Sequence, residues 1–297
     1  MMEAPTSPRL KVVLSTTLLA LCFGALYWTV IIKLVHDWTI NENYSHGFLI
    51  PPLVGYLIWQ RREHLLAEPP SSSVLGLVLV GLSTGVLLAG ILGAELFLTR
   101  AAMLGTIVGG VLFILGWRYL RVLAFPLALL LLMIPIPAIL FNQIVFPLQL
   151  VASRFGGAVV AATGIPVLRE GNVIVLANTT LEVAEACSGI RSLVSLLTLA
   201  IVYGYFSDRR NAVRVALSLC AVPVAILTNG LRVAGTGIAA HFYGAAAAQG
   251  FFHTFSGWLV FLAAFGMLFV ILRFFQWLSP EGEAVPPLRL PQLNPEL

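Results

Sequence analysis

Charge is what this 297-residue chain has least of. Only 10% of its residues are Asp, Glu, Lys or Arg, against about 25% in a soluble domain. That scarcity, with 59% hydrophobic residues and a mean hydropathy of +0.95, excludes an ordinary water-soluble fold. Cysteine is scarce too. Three cysteines, widely separated, cannot build a disulfide framework. Cys22 and Cys220 lie within apolar runs, where a thiol is usually a packing group. No glycine-rich phosphate loop, serine-nucleophile elbow or zinc-protease signature is present. The net charge of +4 does not point to nucleic acid, because the basic residues sit in short segments between apolar runs.

What is there is a series of runs long enough to cross a bilayer, which takes roughly 20 apolar residues each. Candidate spans are 12–35, 47–60, 74–93, 96–116, 121–140, 188–206, 212–231 and 254–275. The expected fold is an all-α polytopic membrane protein of about eight transmembrane helices. It forms one membrane domain over 1–280, followed by a disordered, proline-rich tail over 281–297. The first run lacks a small-residue cleavage site, so it reads as a span and not as a signal peptide. Stretch 141–163 is apolar but interrupted by Pro147, Gln149 and Arg154. It either re-enters, lies in the interface, or spans while another candidate does not. Residues 172–183 alternate as a small β-hairpin.

Basic residues set orientation. Arg9 and Lys11, Arg61 and Arg62, Arg118 and Arg121, Arg209, Arg210 and Arg214, and Arg273 all fall inside if the N-terminus is inside. Both termini are then cytoplasmic. The opposite face receives 36–46, a tight connection near 93–95, the stretch 141–187, and 232–253.

That face collects the chemically distinctive residues. Cys187 stands at a predicted helix start, where the dipole favours an anion by roughly 0.3–1 kcal/mol. Arg191 is one turn further on the same helix face. A thiolate is the reactive form of cysteine, and such surroundings favour it. Arg232 ends a span on the side where arginine is uncommon, and suits stabilisation of an oxyanion. Asn229 precedes it by one turn. His253, at the start of the last span, has the pKa range of a general acid and base, and Cys–His pairs are an established nucleophile arrangement. His46 is a rival base, and Glu185 a supporting carboxylate. Each has a plainer alternative: a packed thiol, a snorkelling arginine, an interfacial histidine, a solvated glutamate. Glu95 and Arg100 read as an interfacial charge pair. The outward histidines lack metal-ligand spacing, so no metal and no cofactor is expected.

The segments Glu185-Ala186-Cys187-Ser188-Gly189-Ile190-Arg191-Ser192, Asn229-Gly230-Leu231-Arg232, His253 followed by Gly257-Trp258, and Tyr44-Ser45-His46-Gly47 resemble those of the exosortase/archaeosortase family, over roughly 30–275. The resemblance implies a cysteine transpeptidase of the bacterial inner membrane. It would cut a C-terminal sorting signal (a Pro-Glu-Pro-like motif, a hydrophobic helix and a basic cluster) from exported proteins, and pass them to a surface or lipid-linked acceptor. Cys187 would be the nucleophile, Arg232 the transition-state stabiliser and His253 the acid/base. Arg191, Glu185, Asn229 and His46 would be supporting or substrate-binding residues. The partners implied are those substrates, the acceptor and membrane lipids. The competing reading is a non-catalytic scaffold or transporter component of exopolysaccharide export. The few charged groups within the predicted spans weigh against transport.

Overall fold

The structure is a computed structural model, and it describes residues 8–177, 179–183, 188–244 and 251–278, with side chains from Thr17 onward except those of 251–254. Cys187, Glu185 and the 281–297 tail therefore lie outside the described residues. Among the described residues the regular structure is helical apart from one small sheet. A polar backbone can cross hydrocarbon only where each helix satisfies its own N–H and C=O groups.

Seven helices among the described residues are long and apolar enough to cross a membrane. They are α1 (Pro8–Ile40), α4 (Val74–Leu92), α5 (Leu96–Ile114), α7 (Ala138–Ala162), α8 (Ile190–Ser207), α9 (Asn211–Tyr243) and α10 (Phe251–Leu278). Shorter helices are α2 (Ile50–Gln60), α3 (Arg62–Ala67) and α6 (Trp117–Leu129), with 3-10 turns at Glu42–Leu49 and Leu130–Met133.

Two expected spans differ from their helices. The run 47–60 yields only α2, because Pro51 and Pro52 fit the start of a helix but not its interior. The run 121–140 yields α6, which starts earlier and stops before Pro135 and Pro137. Conversely, 141–163 lies within one continuous helix, α7, with Pro147 inside it. One missing N–H is tolerated where the remaining bonds have no solvent alternative.

Two compact units divide the chain, residues 1–142 and 143–297. In the first, α4 and α5 form a close hairpin in which Gly76 and Gly109 leave no room for a side chain. The Tyr27 hydroxyl of α1 donates to the Ala102 carbonyl of α5 at 3.2 Å. Glu95 caps α5 by accepting from the Leu98 N–H. Arg100, only 2% exposed, pairs instead with Asp37 of α1 at 2.5 Å. The sequence pairing of Glu95 with Arg100 missed this partner, sixty-three positions away in the chain.

In the second unit, α8, α9 and α10 pack around Leu196, Ala200, Leu217, Ala221, Val224, Ala264, Leu268 and Leu272. The expected hairpin is present as β2 (Val173–Leu176) and β3 (Thr180–Glu182), and β1 (Val167–Glu170) adds a third antiparallel strand. Ile174, Leu176 and Val183 bury against Ala152 and Val160 of α7 and Val233, Ala234 and Ala240 of α9.

Candidate functional site

The turn between α8 and α9 fixes one end of the second unit. Asp208 is buried there, and its carboxylate receives Arg210 Nη2 at 2.7 Å. That hydrogen bond is the main reason its carboxyl is lowered to about 2. Arg214 Nε donates to the Asp208 carbonyl, and Gln276 of α10 donates to the Ser207 carbonyl. The three helices are thus tied together at their basic end.

From that end, helix geometry sets the height of everything else. About 27 Å of helix separates Arg214 from Arg232 on α9, and about 30 Å separates Arg273 from His253 on α10. Helix α8 is about 27 Å long from Ser207 to its start at Ile190. Arg232, His253 and the start of α8 therefore stand at similar heights, roughly one hydrocarbon thickness from the basic turn. His253 lies in the first turn of α10, and its side chain is among those not described.

The entry to α8 is specific. Gly189 caps the helix with φ +86°, a left-handed conformation that favours glycine. A Cβ placed on Gly189 would lie 2.8 Å from Asn229 Cγ and 2.9 Å from Asn229 Nδ2. Asn229 is 1% exposed, and Ser188 and Ile190 beside the turn are also buried. So the backbone at 188–190 is seated on the α9 amide one turn before Arg232. On the other side, Val183 is held by Asn172, whose carbonyl accepts the Val183 N–H at 2.9 Å. Asn172 Nδ2 also donates to the Val183 carbonyl. The segment bearing Glu185 and Cys187 runs between these two anchors. The contact of Gly189 with Asn229 is the feature that reading the sequence missed. Its only signal was a glycine just before an apolar helix.

Arg232 is half-buried and Arg191 is exposed in the first turn of α8. His46 belongs to the first unit, in the 3-10 turn Glu42–Leu49. Its Nε2 lies 3.1 Å from the Leu132 carbonyl. A carbonyl only accepts, so Nε2 carries the proton. Burial holds this imidazole below its ordinary value of 6.5, opposed by carbonyl contacts at Leu132 and Asn43. Neighbouring side chains act alike. Trp38 Nε1 donates to the Met133 carbonyl, and the Tyr44 hydroxyl accepts the Ile136 N–H. The segment 38–47 thus satisfies the backbone of the Met133–Pro137 break, where two prolines prevent helix.

No group of His, Cys, Asp or Glu among the described residues is arranged to hold a metal. No curated protein and no solved structure matches the chain. A family model for transmembrane exosortases matches residues 38–270, most of the chain, and the protein belongs to that family.

Proposed function

We propose that the protein is a membrane cysteine transpeptidase. It cleaves the C-terminal sorting signal of exported proteins at the outer face of the bacterial inner membrane, and transfers them to an acceptor. The observation that carries this reading is the seat of Gly189 on Asn229. Chain connectivity keeps Cys187 within about 7 Å of Gly189, and Arg232 follows Asn229 by one helical turn. The common height of Arg232, His253 and the start of α8 supports the same constellation.

In this mechanism the signal's hydrophobic helix lies in the bilayer, which holds the scissile peptide at the boundary. The Cys187 thiolate attacks the carbonyl carbon, and Arg232 stabilises the oxyanion. The C–N bond breaks as His253 gives its proton to the leaving amine. An acceptor nucleophile attacks the thioester, returns its proton through His253 and regenerates the thiol. Arg191 stands near enough in sequence to favour the thiolate. Arg209, Arg210, Arg214 and Arg273 mark the cytoplasmic end, with the C-terminus beyond it. For the N-terminus to share that side, the number of crossings must be even. The run 47–60, which begins just past His46 and holds α2, supplies the extra crossing.

The test uses a reporter with a Pro-Glu-Pro-type tail, co-expressed with the wild type or with Cys187→Ala, Arg232→Ala or His253→Ala. Cleavage by the wild type and loss in all three variants is the expected result. A new C-terminus carrying an added mass identifies transfer, and a free acid identifies hydrolysis. Equal cleavage by Cys187→Ala removes the cysteine mechanism.

A further inference from the structure

Two helices of the second unit mark the same level by what they expose. On α7 the large exposed apolar residues are Ile139, Leu140, Ile144, Phe146 and Val151, and none follows within the helix. On α9 they run from Val215 to Leu231 and then cease until Phe242. On α10 Phe255 and Trp258 are exposed, aromatics of the kind that gather at a membrane–water interface. The helices are in register at this level. A Cβ on Gly230 would strike the Phe155 ring, one on Gly156 would lie 2.6 Å from Val233 Cγ1, and one on Gly237 would lie 3.1 Å from Val160 Cγ2. The contacts advance together, so the C-terminal half of α7 runs alongside α9 in the same direction. Residue 154 of α7 and residue 232 of α9 therefore stand at one height, where the large exposed apolar side chains end.

An arginine occupies that height on the open face of α7. Arg154 is exposed, and among the described residues it makes no ion pair or hydrogen bond. Its neighbour Ser153 is fully buried and donates to the Gly171 carbonyl at 2.9 Å. Arg169 of β1 donates to the same carbonyl at 2.7 Å. The β1–β2 turn thus sits on α7 at Ser153, the residue before Arg154, and the Arg169 guanidinium meets the same carbonyl as Ser153. Glu170, next to Arg169, alternates to the opposite face of the strand. Two arginines with most of their donors unspent, at the edge of an apolar stripe, match one class of ligand. A phospholipid offers its phosphate oxygens there while its chains cover Phe146 and Val151.

We propose that Arg154 and Arg169 form a binding site for a phospholipid phosphate, at the bilayer boundary of the face that carries Arg232. The site is independent of Cys187 chemistry and stands whether or not the protein cleaves a sorting signal.

The full chain is purified in detergent, stripped of lipid, and titrated with phosphatidylglycerol by native mass spectrometry. Wild type is compared with Arg154→Gln, Arg169→Gln, the double variant, and Arg118→Gln as an exposed arginine elsewhere. The tightest lipid is expected to bind about tenfold more weakly to the double variant, as befits loss of charge-assisted bonds, and to be unchanged in Arg118→Gln. Inorganic phosphate is expected not to displace it. Wild-type affinity in the double variant overturns the proposal. Displacement by millimolar phosphate also overturns it, in favour of a soluble anion. Should the double variant not fold, hydrogen exchange of the wild type decides. Slowed exchange over 167–172 on adding phosphatidylglycerol supports the site, and unchanged exchange overturns it.

Discussion

Each unit of the protein presents a polar motif around a glycine, and the two are used differently. In the first, Trp38, Tyr44 and His46 turn toward the backbone at 132–136, and each makes a hydrogen bond there. Gly47 is required because a side chain would enter the Trp38 indole. In the second, Gly189 seats the start of α8 on Asn229, and Cys187 precedes it by two positions in the sequence. His46 donates its Nε2–H to a carbonyl, and its Nδ1 is buried, so Nδ1 has no water to exchange a proton with. Two motifs of similar appearance in the sequence, each with a nucleophilic or basic side chain beside glycine, thus divide into a clasp and a candidate site.

Substitutions break this comparison most sharply through activity. Arg232→Ala is expected to slow reporter cleavage about 10²–10³-fold, the range for removing an oxyanion donor, with the protein still eluting as the wild type does. His46→Ala is expected to leave the cleavage rate near wild type. A loss with His46→Ala as deep as with Arg232→Ala would erase the distinction between the motifs.

Stability comes next. Gly47→Ala is expected to lower stability by about 1–3 kcal/mol through overpacking, read by thermal unfolding. Gly189→Ala adds left-handed strain of about 1–2 kcal/mol to its contact with Asn229, and is expected to reduce cleavage as well. Combining it with Asn229→Ala is expected to give a non-additive result of about 0.5–3 kcal/mol, whereas simple additivity would remove the contact.

pH separates the two units further. The Asp208 carboxyl is held at about 2 against an ordinary 3.8. A depressed carboxyl stabilises the fold above its unfolded value, and that support is lost as pH falls from about 4 toward 2. The loss is about 2 kcal/mol, and Asp208→Asn is expected to abolish this pH dependence. The effect at His46 is smaller and lies elsewhere. Its lowered value means the unfolded chain takes up the proton first, so the clasp weakens as pH falls below 6.5. Removing the ring is expected to cost about 1 kcal/mol at neutral pH and to flatten that slope.

Much of this was legible in the sequence because bilayers simplify the code. Long apolar runs gave α1, α4, α5, α8, α9 and α10, and alternation gave β2 and β3. Runs interrupted by proline were harder. Pro147 leaves α7 intact, while Pro135 and Pro137 stop the chain after Met133, because two prolines in three residues remove more bonds than the helix can lose. Strand β1 was missed because Val167–Glu170 pairs with residues it can only find once folded. The acid nearest Arg100 in sequence is Glu95, whereas its partner in the fold is Asp37 of α1. The candidate site residues were visible as residue types at helix ends. Their common height was not, since it depends on the lengths of three helices tied at Asp208.

The most direct measurement captures the intermediate. Purified protein is incubated with the tailed reporter, quenched in acid and mapped by mass spectrometry. The account predicts the upstream reporter fragment attached to the Cys187 peptide as a thioester released by hydroxylamine, and absent from Cys187→Ala. Cleavage that continues at the wild-type rate in Cys187→Ala, with no adduct on the wild-type peptide, would contradict it.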